Sequence, residues 1–251
     1  MKHISELTRK DIKDIKLIVF DVDGVLVHRG TKIKQEGDVT TLETKKISDF
    51  EIKHLRELNR RGFFININSG RGLYMLQNMF REVLDFVSLT YENGSATWFK
   101  GKIYQHANSF EKLKKIYPKL AAVRHKDIIK GFEPKEFIIS IHCEKRVKEI
   151  EEVMKNEKDL YYIWNSEAYD IGVRNLQTKN KGLRKLKSLL KLKKKNVMAI
   201  GDNYNDRELL DEAGLAVSAD KSRLDGDFYV DLDDKILPAG RLMERMLEIL
   251  N

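Results

Sequence analysis

The chain has 251 residues, 34% charged and 41% hydrophobic, with a net charge of +8, three prolines and one cysteine. This length builds one large domain or two modest ones around a real core, and the few prolines leave little room for disordered linkers. The 39 acidic residues mixed among 47 basic ones describe a dispersed charged surface rather than a dedicated nucleic-acid patch. The lone Cys143 excludes an internal disulfide or a cysteine zinc cage, and no run reaches membrane-helix length. With a charged start lacking an apolar signal core, these features predict a soluble, cytoplasmic protein with neither membrane nor nucleic acid as partner.

Residues 1–15 are polar with weak helical periodicity, which predicts a short leader helix. Lys16–Phe20 is an apolar run of the kind buried on both faces of a parallel sheet. It ends abruptly in Asp21-Val22-Asp23-Gly24. Two extended pieces around Glu36-Gly37-Asp38 predict a hairpin over 27–40. Ser48-Asp49-Phe50-Glu51 resembles a capping box, and Ile52, Leu55 and Leu58 follow at helical spacing. Strand 63–67, the loop Asn68-Ser69-Gly70-Arg71-Gly72, a helix and strand 86–89 complete a β-α-β-α-β rhythm. The rhythm then breaks. A hairpin at 96–104, a helix near 109–122, strand 137–143, helix 144–157 and a hairpin at 161–173 form an α+β unit. Parallel-sheet rhythm resumes with helix 180–192, strand 196–200, helix 206–213, strands at 215–217 and 228–230, and helix 238–250. The predicted fold class is therefore α/β, a Rossmann-like parallel-sheet core from 1–90 and 176–251 with an inserted α+β domain over 91–175.

In such a sheet the C-terminal strand ends lie on one edge, where ligands bind. Asp21 and Asp23 follow the first strand, Ser69 the second, and Asp202, Asn205 and Asp206 the fourth. Like charges this close are costly without an offsetting cation, and carboxylates of strands one and four can share one Mg2+. A hydroxyl and backbone amides at a helix start suit an anion, and Lys181 brings a positive charge to the same edge, with Lys179 the alternative at this spacing. A carboxylate nucleophile, a metal, a hydroxyl and a lysine around one anion are equipment for phosphoryl transfer.

Asp21-Val22-Asp23-Gly24-Val25-Leu26, Ser69-Gly70-Arg71, Lys181-Gly182 and Gly201-Asp202-x-x-Asn205-Asp206 resemble, in order, the four motifs of the haloacid dehalogenase-like phosphatases. The insertion opening with Glu92-Asn93-Gly94 is similar to the C2-type cap of the Cof-like and sugar-phosphatase branch. The resemblance implies a phosphatase in which Asp21 attacks phosphorus and Asp23 protonates the leaving alcohol and then activates water. It further implies Mg2+ held by Asp21, the Asp23 carbonyl and Asp202, with Asp206 supporting through water. Ser69, Gly70, Lys181 and Asn205 would bind the phosphoryl group, and a sugar phosphate or phosphorylated glycerate derivative would be the substrate. A phosphohexomutase-like transfer and a non-catalytic binding or assembly protein are the alternative readings. The segment after the first motif is longer than in Cof-like members and resembles the hairpin of 3-deoxy-octulosonate 8-phosphate phosphatases.

Lys185–Lys195 reads as a core-packed helix with a solvated basic face, because its leucines fall at helical spacing. His142-Cys143 reads as strand packing, and Trp98, Tyr161, Tyr162 and Trp164 as core of the inserted domain. Arg174, just past the last inserted strand, is the candidate substrate residue there.

Overall fold

The computed structural model describes residues 1–37, 39–123, 128–233 and 235–251; Asp38 of the expected hairpin turn lies outside them. The chain opens with β1 (Lys2–His3) and α1 (Arg9–Ile12), then β2 (Leu17–Phe20), β3 (Lys32–Glu36), β4 (Val39–Glu43) and α2 (Asp49–Arg60). Next come β5 (Phe64–Asn68), α3 (Leu73–Met79), β6 (Val87–Tyr91), β7 (Ala96–Phe99), β8 (Lys102–Gln105) and α4 (Phe110–Ala121). The middle holds β9 (Ile129–Glu133), β10 (Ile139–Cys143), α5 (Lys148–Lys155), β11 (Leu160–Trp164) and β12 (Ala168–Val173). The chain closes through α6 (Lys179–Leu189), β13 (Val197–Gly201), α7 (Arg207–Asp211), β14 (Leu215–Ser218), β15 (Phe228–Tyr229) and α8 (Pro238–Leu250).

The expected α/β class is the observed one. A nine-stranded sheet runs β1-β15-β14-β13-β2-β5-β6-β7-β8, parallel as far as β6. Strand β2 is central and fully buried. Its side chains alternate: Ile18 and Phe20 join the core formed with α2, α3 and α8, while Leu17 and Val19 join the core formed with α6 and α7. Helices thus cover both faces, and each such buried aliphatic side chain contributes about 1.5–3 kcal/mol. A second, four-stranded antiparallel sheet, β11-β12-β10-β9, packs its own core against α4 and α5. Among the described residues, no helix is long and apolar enough to cross a membrane.

Three local expectations change. The leader is not one helix: β1 pairs in parallel with β15, and α1 is a single turn. The 96–104 hairpin, expected in the inserted domain, instead pairs with β6 and extends the large sheet. Strand β9 was not expected, because Gly131 interrupts its short apolar pattern. It forms because β10 pairs with it on one side and the β3–β4 hairpin packs on it. Gly131 adopts φ +153°, and a Cβ there would lie 3.1 Å from the Gln35 Cβ. The hairpin thus spans from the large sheet to the four-stranded unit.

The connection between the two units is tight. Glu92, Asn93 and Gly94 are three consecutive left-handed residues (φ +48°, +55° and +82°). The buried Glu92 carboxylate accepts backbone N–H bonds from Glu136 (3.0 Å), Phe137 (2.6 Å) and Ile138 (3.1 Å). A Cβ on Gly94 would sit 2.4 Å from the Thr178 carbonyl, so the outgoing and returning chains approach closely only because glycine is there.

Candidate active site

Register brings the site together. Phe20 pairs with Ile200 on one side and Ile67 on the other. Asp21, one residue beyond, and Asp202 and Ser69, each two residues beyond, therefore emerge at one sheet edge. The next turn is enforced by Gly24 (φ +85°), whose Cβ would fall 2.8 Å from Asp202 Oδ2. Any side chain there collides with the carboxylate and must adopt a backbone conformation that only glycine holds freely.

Carboxylate oxygens of Asp21, Asp202 and Asp206, all buried, lie within 4.8 Å of one another. Lys179 joins two of them, with Nζ 2.6 Å from Asp21 Oδ1 and 2.5 Å from Asp206 Oδ1. Asp206 Oδ2 accepts the backbone N–H groups of Asp202 and Asn203 at 3.2 Å, so Asp206 organises this loop and orients the lysine. The lysine expected at the site, Lys181, is not the one placed there. Lys179 opens α6 and points at the strand ends, whereas Lys181 is partly exposed. Two residues along a helix rotate the side chain by about 200°, which turns Lys181 away.

Burial dominates the electrostatics. It pushes Asp21 up to about 8; the neighbouring Asp206 reinforces the shift and Lys179 opposes it. Burial also raises Asp202, against the pull of Arg29, whose Nη2 sits 2.5 Å from Asp202 Oδ2. For Lys179 burial acts downward, but Asp206 and Asp21 outweigh it and hold the ammonium charged.

Asp23 lies apart from the buried carboxylate cluster. Arg71 grips it with two bonds, Nε to Oδ2 at 2.8 Å and Nη2 to Oδ1 at 2.5 Å, and also donates to Thr44 Oγ1 at 3.3 Å. Such a fork fixes the carboxylate in one orientation. Ser69 and Gly70 line the same cleft, with the Ser69 hydroxyl accepting the Arg71 N–H at 3.2 Å. Asn205 lines it as an exposed rim residue. Arg174 does not reach it. The chain turns at Val173–Leu176, and the Arg174 side chain donates to the Lys158 carbonyl at 3.1 Å on the outer edge.

The four-stranded unit closes the cleft from above. The space left is about 110 Å3, below the roughly 300–1,000 Å3 of ordinary small-molecule pockets. Glu133, Lys135, His142, Asn165, Glu167 and Asp170 line it, with Thr31 and Arg29 of the hairpin. His142 is therefore a cleft residue rather than inert packing; its Nε2 is 3.0 Å from Glu133 Oε2. Cys143, one residue on, is buried and its thiol is pushed up to about 11 by burial, which keeps it unreactive.

Burial raises Glu133, but Lys135, the His142 hydrogen bond and Arg71 outweigh it and hold the carboxyl at about 2, below the usual 4.5. A depressed carboxyl stabilises the fold fully above its unfolded value, and that stabilisation drains away as pH falls from about 4.5 through about 2. Urea unfolding at pH 6, 4 and 3 is therefore expected to lose stability more steeply in the native protein than in Glu133→Gln. Parallel pH profiles would refute this ion-paired assignment.

The acidic cluster suits a hard divalent cation. Its donors are carboxylate oxygens, and Asp202 Oδ1 is buried with no hydrogen-bond partner, an atom in need of a positive charge.

Of the residues that sequence reasoning gave no role, Arg71 was visible inside its own motif. Arg29, Glu133, Lys135 and Asp170 carried no spacing signal, because hairpin and strand pairing bring them in from unrelated segments.

The chain is similar to known proteins over most of its length. A family model described as haloacid dehalogenase-like hydrolase matches residues 18–129 and 106–223. A 5-amino-6-(5-phospho-D-ribitylamino)uracil phosphatase of Bacillus subtilis is 27% identical over 233 residues, covering 84% of this chain and 85% of its own. Phosphoglycolate phosphatase 1 of Saccharolobus solfataricus is 25% identical over 211 residues, covering 81% and 82%. A hypothetical protein of Geobacillus kaustophilus shares the fold with a TM-score of 0.70 at 21% identity, over 93% of this chain and 99% of that one.

Proposed function

The chain belongs to the haloacid dehalogenase-like hydrolases, and from that premise we propose that it is a Mg2+-dependent phosphatase of small phosphomonoesters. The observation that carries this reading is the meeting of Asp21, Lys179 and the Asp202/Asp206 pair beside Ser69 and Gly70 at one sheet edge. That arrangement surrounds one anion with a nucleophile, a fixed cation and hydrogen-bond donors. Both curated relatives are named as phosphatases of small phosphorylated metabolites, which supports the same reaction here. The lone buried Cys143 accords with a reducing cytosol.

In the proposed reaction, an Asp21 carboxylate oxygen attacks phosphorus and the ester oxygen leaves. Asp23, held by Arg71, gives that oxygen a proton. Asp23 then takes a proton from water as the water attacks the aspartyl-phosphate, releasing inorganic phosphate and restoring Asp21. Ser69, the Gly70 amide and Lys179 hold the phosphoryl oxygens; Asn205 borders them at the rim. A Mg2+ ion would be held by Asp21 and Asp202 with the Asp23 carbonyl, Asp206 supporting. Bound there, it would keep Asp21 ionised against the burial that otherwise favours its proton, and would offset phosphoryl charge. The four-stranded unit acts as a cap that excludes water from the phosphoenzyme.

The test is phosphate release from p-nitrophenyl phosphate. Stripping divalent metal is expected to lower the rate at least about 100-fold, and Mg2+ to restore it. Magnesium is also expected to raise the melting temperature of the native chain but not of Asp202→Asn. Turnover indifferent to metal overturns the reading. Transfer of the phosphoryl group to a second sugar hydroxyl, in place of phosphate release, would make it a phosphomutase.

A further inference from the structure

We propose that the cap face above Asp21 recognises hydrogen-bond donors on the leaving group, so that Glu133 and Asp170 select a phosphorylated polyol or sugar over a phosphorylated carboxylic acid. This rests on the phosphatase reading and names its substrate class.

The inference begins with Lys135, the cap's buried cation and the apparent anchor for a carboxylate. An ammonium has three N–H donors and no more. Lys135 directs Nζ at Ser140 Oγ (2.6 Å), Glu133 Oε2 (3.3 Å) and Asp170 Oδ1 (3.4 Å). Three acceptors occupy three donors. Ser140 in turn donates its hydroxyl to Asp170 Oδ1, and the His142 ring meets Glu133 Oε2 at 3.0 Å. The cap's positive charge is spent within the cap.

The atoms of this region nearest the Ser69–Gly72 loop accept rather than donate. Glu133 Oε1 is buried and has no hydrogen-bond partner, and the Glu133 side chain is 5% exposed. It lies 3.9 Å from the place a Cβ on Gly72 would take. Asp170 Oδ2 lies 3.7 Å from the corresponding place on Gly70, and Asn93 Oδ1 lies 2.9 Å from it. Three acceptor oxygens thus converge over the Ser69–Gly72 loop, where the phosphoryl group and its first carbons would sit. A buried carboxylate oxygen without a donor is costly, so a hydroxyl that donates to Glu133 Oε1 gains the full value of a charge-assisted bond. A leaving-group carboxylate brings no donor and adds a like charge beside Glu133, Glu167 and Asp170, which with Lys135 leave this face net negative. The small cleft favours a short chain in the closed form.

Steady-state kinetics on the native chain with Mg2+ test the proposal, using glycerol 1-phosphate and ribitol 5-phosphate against 2-phosphoglycolate and 3-phosphoglycerate. The expected result is a kcat/KM at least about 10-fold higher for the better polyol ester than for either acid. In Glu133→Gln and Asp170→Asn the polyol KM is expected to rise, and the polyol-to-acid ratio to fall about 10-fold, since an amide donates as well as accepts. A structural role alone would lower both rates together and leave the ratio unchanged. Native preference for either acid overturns the proposal while leaving the phosphatase reading intact. Absence of turnover on every ester, p-nitrophenyl phosphate included, overturns both. The native ratio decides the matter even where a variant fails to fold.

Discussion

Asp21→Asn is expected to lower kcat for p-nitrophenyl phosphate by about 10^4-fold or more while leaving the protein folded. The side chain follows the central strand, is buried with 8% of its surface exposed, and stands 2.6 Å from the Lys179 ammonium. An amide fills the same volume and keeps one oxygen toward Lys179. It cannot form the acyl phosphate, because its nitrogen is a poor nucleophile and its oxygen carries no charge. Stability is expected to hold or rise in metal-free protein, since the substitution removes one member of a buried like-charged cluster, where burial and Asp206 already disfavour the ionised form. Phosphate release and thermal unfolding on the same sample separate the two effects. Residual turnover within 10-fold of native would sink Asp21 as the nucleophile. A melting temperature many degrees lower would sink the account of its electrostatics.

Lys179→Met is expected to cost about 3–5 kcal/mol of stability, whereas Lys181→Met changes it by no more than about 0.5 kcal/mol. The two lysines sit two residues apart at the start of one helix, and either satisfies the motif by eye. Only Lys179 is enclosed, and only Lys179 bridges Asp21 and Asp206. Methionine keeps the aliphatic bulk but leaves two buried carboxylates with no counter-charge, the case in which breaking a buried pair is most damaging. Activity should follow: Lys179→Met loses the cation over the phosphoryl group, and Lys181→Met retains native turnover. Urea unfolding with phosphate release in parallel measures both. Equal losses for the two variants would refute the assignment.

The same contrast explains what could be read early and what could not. Asp21 and Asp202 were legible because each closes an apolar run that reads as a buried strand, and Asp23, Ser69 and Asp206 because they complete, in order, the motifs that the sequence resembles. Parallel register then brings strand ends together without further information. Arg71 sat in view within Ser69-Gly70-Arg71 but acquired a role only when its guanidinium was found gripping Asp23. Lys181 was chosen over Lys179 on spacing, and helix phase reversed the choice. Arg174 looked well placed as the residue after the last cap strand, yet a turn carries it to the outer edge. The 96–104 hairpin looked like the opening of the cap because its strands are antiparallel. It is the edge of the large sheet, since β6 offered it an unpaired rim.

By itself the sequence determined the α/β class, the central strand and the carboxylates at its end, because burial of apolar runs and the alternation of strands and helices are local in the chain. Tertiary structure alone decided which lysine neutralises those carboxylates, which arginines hold Asp202 and Asp23, and which oxygens converge over the Ser69–Gly72 loop. Those contacts join residues up to 173 positions apart, as Arg29 to Asp202 does. They depend on helix phase, hairpin reach and strand pairing, and on the competition for a few donors inside a dry cleft. No pattern along one segment encodes that competition. It is settled when Lys135 spends its three N–H groups within the cap and leaves Glu133 Oε1 without a partner.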